Sequence, residues 1–318
     1  NNFTKKEDGT QAVLTGEDGD VMIEIPKIGM KIERDQNILK IQLTSNPNHP
    51  DFTYDAFTRD SAGDRDKLYV GAYLGQIANN TLNSVSDVVP TNQRVFTDFR
   101  NAARAKNTGT LTGYDILSWY PLHLLQCLYL IRYKNLNGQE ALGHGYTELS
   151  GPLLANGQAN GNGMYYGSDY NGDVMKFMGI ESFWGMASIW IDGVRLVSKQ
   201  VSVSPSAYID VLKTAHNGFG IDSNYTEKEQ ITTSESTDAA YYLKNVIGSK
   251  DAPFIAREPQ SGGSAATFFC DMSKVVKNCC CTFGGFSTSW DSAGPFNTYF
   301  RSPADTRSTT IGARLMYL

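Results

Sequence analysis

The chain has 318 residues, is 41% hydrophobic and 11% aromatic, and carries a formal net charge of -5. That length and apolar content suit a folded protein with a large core and exclude a disordered chain. Lys and Arg are scattered and outnumbered by acids, which argues against nucleic acid as a partner. The longest apolar run, residues 122–131, falls short of the ~20 residues a membrane-spanning helix needs, so no membrane insertion is expected.

In chain order, the sequence starts at Asn1 without an initiator Met and is expected to be a processed product or a piece of something longer. Residues 21–33 (VMIEIPKIGMKIE) and 38–44 (ILKIQLT) alternate apolar and polar positions around the turn RDQN, and 67–74 (KLYVGAYL) repeats the pattern; all three read as strands. Residues 91–106 place Val95, Phe96, Phe99, Ala102 and Ala103 on one helical face, with Thr91 as the expected N-cap. A second helix is expected within 115–133, its stripe formed by Leu124, Leu125, Leu128 and Ile131 and its main part opened by Pro121. The Asn- and Gly-rich stretch 156–173 predicts a long surface loop. Trp184 and Trp190, around Gly185 and ahead of Asp192 and Gly193, suit a turn entering a strand with buried rings. The closing IGARLMYL alternates as a strand, and Arg314 within it needs a carboxylate or carbonyls. No internal repeat or linker divides the chain, so one domain spanning 1–318 is expected, with a β-rich part at about 18–75.

Signals for catalysis are sparse. HExxH, GxSxG, a P-loop and a dinucleotide fingerprint are all missing, and His49, His123, His144 and His216 are widely spaced. Cys127, Cys270 and the run Cys279, Cys280, Cys281 lack both a disulfide framework and the spacing of a metal site; they read as strand fillers with one exposed thiol. Asp169, Asn171 and Asp173 alternate as in a calcium loop, but the downstream bidentate Glu is missing. Glu258, Pro259 and Gln260 come close to the sugar motif of animal lectins, but no second ligand cluster follows. Neither a metal nor any other cofactor is called for.

Four stretches together carry a resemblance: DGDVMIEIPKI (18–28), DKLYVGAYLG (66–75), LLQCLYLIRYKNLNGQEALGHG (124–145) and FMGIESFWGMASIWIDGV (177–194), with the C-terminal GGF…FRSPADTRST…IGARL. They resemble tail-associated variable proteins of diversity-generating retroelements in phages and prophages, which have a C-type lectin fold of the formylglycine-generating-enzyme type. The resemblance implies an α+β fold with small antiparallel sheets, two flanking helices and long loops. It also implies a C-terminal variable region, about 283–318, diversified by replacing template adenines. Codons made that way cannot specify Lys, Glu, Gln, Met or Trp. Lys, Glu, Gln and Met make up 46 of the 318 residues, so about five or six are expected by composition within 278–315; there are none.

The same region mixes aromatic anchors with short hydrogen-bonding groups, as antibody loops do. Its expected ligand-binding residues are Phe286, Thr288, Ser289, Asp291, Ser292, Asn297, Thr298, Tyr299, Arg301, Asp305, Thr306, Ser308, Thr309 and Thr310, forming one exposed contiguous face. Gly284, Gly285, Trp290, Gly294, Phe296, Ile311, Gly312 and Leu315 are expected to be the fixed frame, which argues against a disordered tail. The function implied is recognition of a protein or glycan on a bacterial surface, by a protein on a virion tail or cell surface, as a homo-oligomer (a trimer) if tail-borne. A formylglycine-generating oxidase shares the fold but needs a pair of active-site cysteines near its C-terminal core, and no Cys follows Cys281. A purely structural tail module is the other alternative.

Overall fold

The computed structural model describes residues 5–6, 8–59, 63–197, 200–203, 225–230, 240–257, 264, 266, 269–276 and 279–318. His216 and the Glu258, Pro259, Gln260 motif lie outside the described residues. The fold is mixed α+β, with small sheets and few helices.

A four-stranded antiparallel sheet runs Met22–Pro26, Lys67–Gly71, Leu315–Tyr317, Tyr114–Ile116. It pairs the closing strand directly with Lys67–Gly71, whose other edge takes Met22–Pro26. The expected strand over 21–33 is in fact two. The first ends at Pro26, and Gly29–Asp35 pairs instead with Ile38–Thr44 in a separate hairpin, around Gln36 and Asn37. The corner needs Gly29: a Cβ there would lie 2.9 Å from Phe52, Thr44 and Tyr54.

The larger sheet is ordered Thr226–Gln230, Gln200–Val203, Ser188–Val197, Cys279–Phe283, Thr298–Ser302, Met272–Val275, Tyr241–Tyr242, with Ile311–Gly312 beside the start of Ser188–Val197. Two of its pairings are parallel, Ser188 with Ile311 and Ser273–Val275 with Thr298–Phe300; the others are antiparallel. Both of its faces are covered. Ile189, Ile191, Cys279, Cys281 and Phe283 face the main core, while Trp190 and Cys280 face a smaller one. All three cysteines are therefore buried, and the expected exposed thiol does not exist. Alternation along a strand puts neighbours on opposite faces, so a continuous apolar run marks a strand covered twice.

Helix α1, Phe96–Arg104, closes the smaller core through Phe96, Phe99, Ala102 and Ala103, with Phe96 edge-on to Trp190 at 5.6 Å. It starts five residues after the expected N-cap. Thr91 instead accepts the Ile77 N–H on its hydroxyl at 2.8 Å, and the Phe96 N–H is satisfied by the Ala304 carbonyl at 3.0 Å. Arg100, buried on α1, is met by Asp192 in a two-pronged pair, and Arg104 reaches Asp115 at 2.8 Å. Helix α2, Trp119–Tyr133, lies in the main core with every residue from Trp119 to Cys127 buried, so no single stripe describes it; Ile131, expected in that stripe, is exposed. Pro121 does fall in its first turn, where a missing N–H costs nothing. Helix α3, Gly138–Leu142, is N-capped by the Asn137 side chain.

Arg314 is fully buried and finds carbonyls, donating to Gly71 at 2.9 Å, Glu181 at 2.7 Å and Ser182 at 2.9 Å. The stretch 156–173 is irregular but only partly a surface loop. Asn156 and Ala159 are buried, and the Glu181 carboxylate accepts the backbone N–H groups of Gly157 at 2.7 Å and Ala159 at 2.8 Å.

Candidate ligand-binding surface

The strand Cys279–Phe283 ends in Gly284 and Gly285, whose φ of 94° and 76° a side chain would resist. The chain then forms a tight loop. Phe286 N–H donates to the Ser289 hydroxyl at 2.8 Å, Ser289 N–H returns to the Phe286 carbonyl at 2.8 Å, and a short 3-10 turn, Trp290–Ser292, follows. The neighbours fix this loop by its backbone. Trp290 N–H donates to the Thr147 carbonyl at 2.9 Å, and the buried Gln139 amide holds the carbonyls of Trp290 at 2.8 Å and Ala293 at 3.0 Å. The Asn297 amide reaches the Ser292 carbonyl at 2.7 Å. Beneath, Asp271 accepts the Phe296 N–H at 2.5 Å, and burial pushes its carboxyl up to about 7.

A second loop, 303–310, is also held by its backbone. Ala304 takes the Phe96 N–H, Ser308 takes the Gln93 N–H at 2.8 Å, Thr309 takes the Asn92 amide at 2.8 Å, and Thr310 takes the Ser188 N–H at 3.0 Å. Ile189 pairs with both Phe283 and Gly312, so the first loop leaves and the second returns at one end of the large sheet.

Among the expected binding residues, Thr288, Asp291, Arg301, Asp305 and Thr309 are exposed, and Phe286, Ser289, Ser292, Thr306, Ser308 and Thr310 are half-buried. Asn297, Thr298 and Tyr299 are buried, which corrects the expectation that they face solvent. They form or adjoin the strand Thr298–Ser302, in which only Arg301 is exposed. The side chains of Ser289, Ser292 and Asn297 also hold the first loop together. The exposed members of the expected face thus fall in two stretches of the chain, 286–292 and 301–310, which the buried residues 297–299 separate in sequence.

The frame residues Gly284, Gly285, Gly294, Phe296, Ile311, Gly312 and Leu315 are all buried. Trp290 is not: it is 58% exposed, at φ 49°. Composition hid it, because an isolated Trp is most often core. Its place between two Ser/Asp-rich turns was the available signal.

Elsewhere, His123 is packed between Trp119 and Tyr120, and burial lowers its pKa to about 3. Burial pushes the thiols of Cys127 to about 12 and of Cys270 and Cys279 to about 11, with Cys280 and Cys281 raised as well. Asp173 is taken up by the Ser168 hydroxyl at 2.7 Å, and no group of three or more His, Cys, Asp or Glu among the described residues could hold a metal ion. Among the described residues no helix is long and apolar enough to cross a membrane.

The features above define an α+β protein that carries exposed polar side chains on two backbone-anchored loops. No family model matches the chain, and no curated protein matches it. Solved structures do. The Major Tropism Determinant U1 variant is 11% identical, over 79% of this chain and 50% of that one, with a TM-score of 0.33. The P3c variant is 9% identical, over 84% of this chain and 57% of that one, with a TM-score of 0.35. The chain thus spans 50% to 57% of the length of these structures.

Proposed function

We propose that this chain is a ligand-binding display protein with a C-type lectin fold of the formylglycine-generating-enzyme type. Its C-terminal loops recognise a protein or glycan on a bacterial surface, from a virion tail or a cell surface, and are diversified by a retroelement. The observation that carries this reading is the division of labour within 284–312. Buried glycines, Phe296 and outside hydrogen-bond partners hold the backbone, while Thr288, Asp291, Arg301, Asp305 and Thr309 stand in solvent. Such side chains can be exchanged without disturbing the fold, which is what a diversified surface requires.

The region's lack of Lys, Glu, Gln and Met supports the same reading. Trp290 joins the face as an unvaried aromatic anchor, since Trp is enriched among the residues that dominate binding energy. No catalytic role is proposed. An oxidase acting through a thiol pair needs ionisable, accessible sulfur, whereas all five cysteines here are buried and their pKa values raised.

The test is attachment of the purified protein to a panel of intact bacterial strains. A strain that binds the parent is expected to lose binding when Thr288, Asp291, Arg301, Asp305 and Thr309 are exchanged together. Unimpaired binding by that variant would remove the proposal.

A further inference from the structure

Thr147 joins two turns that each expose an aromatic ring. Its carbonyl accepts the Trp290 N–H at 2.9 Å, and its own N–H donates to the Asn171 carbonyl at 2.9 Å. Residues paired through backbone hydrogen bonds have Cα atoms about 5.5 Å apart, so Trp290 and Asn171 lie within roughly 11 Å of each other. Trp290 is 58% exposed, and Tyr170, next to Asn171, is 64% exposed. One exposed aromatic is ordinary, but two large rings brought together on the backbone of one residue mark a contact surface.

Both turns are pinned. The Tyr170 N–H meets the Ser168 hydroxyl at 3.2 Å, that hydroxyl donates to Asp173 at 2.7 Å, and the Asp173 N–H returns to the Tyr170 carbonyl at 3.2 Å. The Tyr170 ring leans on Gly172, where a Cβ would lie 2.5 Å from its Cε1. Trp290 is held at its N–H by Thr147 and at its carbonyl by Gln139. The backbone under each ring is therefore ordered before a ligand arrives, which lowers the entropic cost of binding.

What surrounds the rings is polar. Apart from Tyr170 and Trp290, residues 168–173 and 287–292 are all Ser, Thr, Asp, Asn or Gly. The Thr147 hydroxyl and the Asn171 side-chain oxygen also have no hydrogen-bond partner among the described residues. A protein partner would call for an apolar patch at the centre of its contact, whereas two isolated rings among hydroxyls, amides and carboxylates suit a ligand that is itself alternately apolar and polar. A sugar is such a ligand, with a C–H face that stacks on an aromatic ring and hydroxyls around its edge.

We propose that the Trp290 and Tyr170 turns form one platform for a bacterial surface glycan. Its sugar rings stack on the two aromatics, and its hydroxyls meet the polar side chains of both turns. Tyr170 lies outside 283–318 and diversified codons cannot specify Trp, so the platform is fixed, while Thr288 and Asp291 beside Trp290 vary. This division of roles rests on the display function proposed above: the fixed rings set the class of ligand, and the varied neighbours choose among its members.

The experiment measures binding of the full chain to surface polysaccharide, freed of protein, from every strain of the same panel, with the protein fraction of each strain as the comparison. Expected are saturable binding to at least one polysaccharide, protection of Trp290 from iodide quenching in that complex, and loss of binding once periodate has opened the sugar rings. Tyr170→Ala and Trp290→Ala should each weaken it about tenfold or more with melting temperatures unchanged, and Tyr170→Phe, which keeps the ring, should stay within about threefold of the parent. The proposal is overturned by binding to no polysaccharide of the panel, by binding confined to the protein fraction, or by Tyr170→Ala binding like the parent. A parent that needs its five exposed loop residues to bind cells, yet takes up only the protein fraction, removes the glycan and leaves the display function standing. A fivefold variant that binds cells and polysaccharide like the parent, while Tyr170→Ala and Trp290→Ala do not, removes diversified display and leaves the platform.

Discussion

Asp271 shows at the residue scale how the first loop is set. Its carboxylate accepts the Phe296 N–H from below, and the space above it is so tight that only Gly294 fits. Burial raises its folded pKa to about 7, against 3.8 for an unperturbed Asp. Between those values the folded protein holds a proton that the unfolded chain has released. Its contribution to stability is therefore complete below about pH 3.8 and is lost as pH rises through about 7. Asp271→Asn keeps an acceptor for Phe296 but cannot ionise. On going from about pH 5 to about pH 8, the parent is expected to lose more stability than the variant, by up to roughly 1.4 kcal/mol per pH unit inside the window. Denaturant unfolding at several pH values checks this; parallel pH profiles would show that Asp271 does not carry the dependence. Burial also raises the pKa of Asp115, but that group is present in both proteins and cancels in the comparison. Trp290 makes the second residue-scale case. Of the four Trp, Trp119, Trp184 and Trp190 are at most 2% exposed. Iodide is therefore expected to quench one emission component alone, and Trp290→Phe to remove it with a stability change of about ±0.5 kcal/mol. Quenching that persists in the variant would mean a buried Trp is accessible.

Elements whose identity depends on local pattern were legible in the sequence, and those set by distant partners were not. The hairpin, the strand at Lys67–Gly71 and α1 follow from period and composition, and α2 from its apolar content and Pro121 although no single stripe describes it. The start of α1 did not, because the group that satisfies its first N–H comes from Ala304, some two hundred positions away. The break after Pro26 was hidden because alternation continues through it; only the crowding around Gly29 reveals it. At the candidate site, the glycine frame and the exposed threonines and aspartates were legible from residue type. Tyr299 and Trp290 exchanged expectations: one aromatic is buried in a strand of the large sheet and the other stands on a strained turn, and composition does not distinguish them. Gly294 tests how tightly the loop is seated. A Cβ there would fall 2.2 Å from an Asp271 carboxylate oxygen, whereas at Gly161 it meets nothing within 4 Å. Gly294→Ala is expected to cost about 1–3 kcal/mol, as overpacking does, and Gly161→Ala to stay within about ±0.5 kcal/mol. Equal melting temperatures for the two variants would mean that the loop yields freely.

For the molecule as a whole, both loops take their backbone support from parts of the chain that are remote in sequence. Gln139 and Thr147 fix the first; Gln93, Phe96 and Ser188 fix the second. None of the hydrogen bonds that anchor the two loops uses the side chains of Thr288, Asp291, Asp305 or Thr309, and Arg301 is exposed on the strand between the loops. Exchanging these five together is therefore expected to move stability by no more than about 1–2 kcal/mol, since exposed changes are individually about ±0.5 kcal/mol and separated sites add. Phe296 is the opposite case. It is fully buried, with Tyr129, Phe254 and Phe269 rings at 5.8, 5.0 and 5.0 Å, so Phe296→Ala should cost roughly 3–5 kcal/mol. Tyr299→Ala, nearly as buried, should fall with Phe296→Ala and not with the five. Thermal melts of the three variants check the ordering. A fivefold variant that melts as low as Phe296→Ala would make the exposed side chains part of the scaffold, and a Tyr299→Ala that melts like the parent would return Tyr299 to the displayed surface.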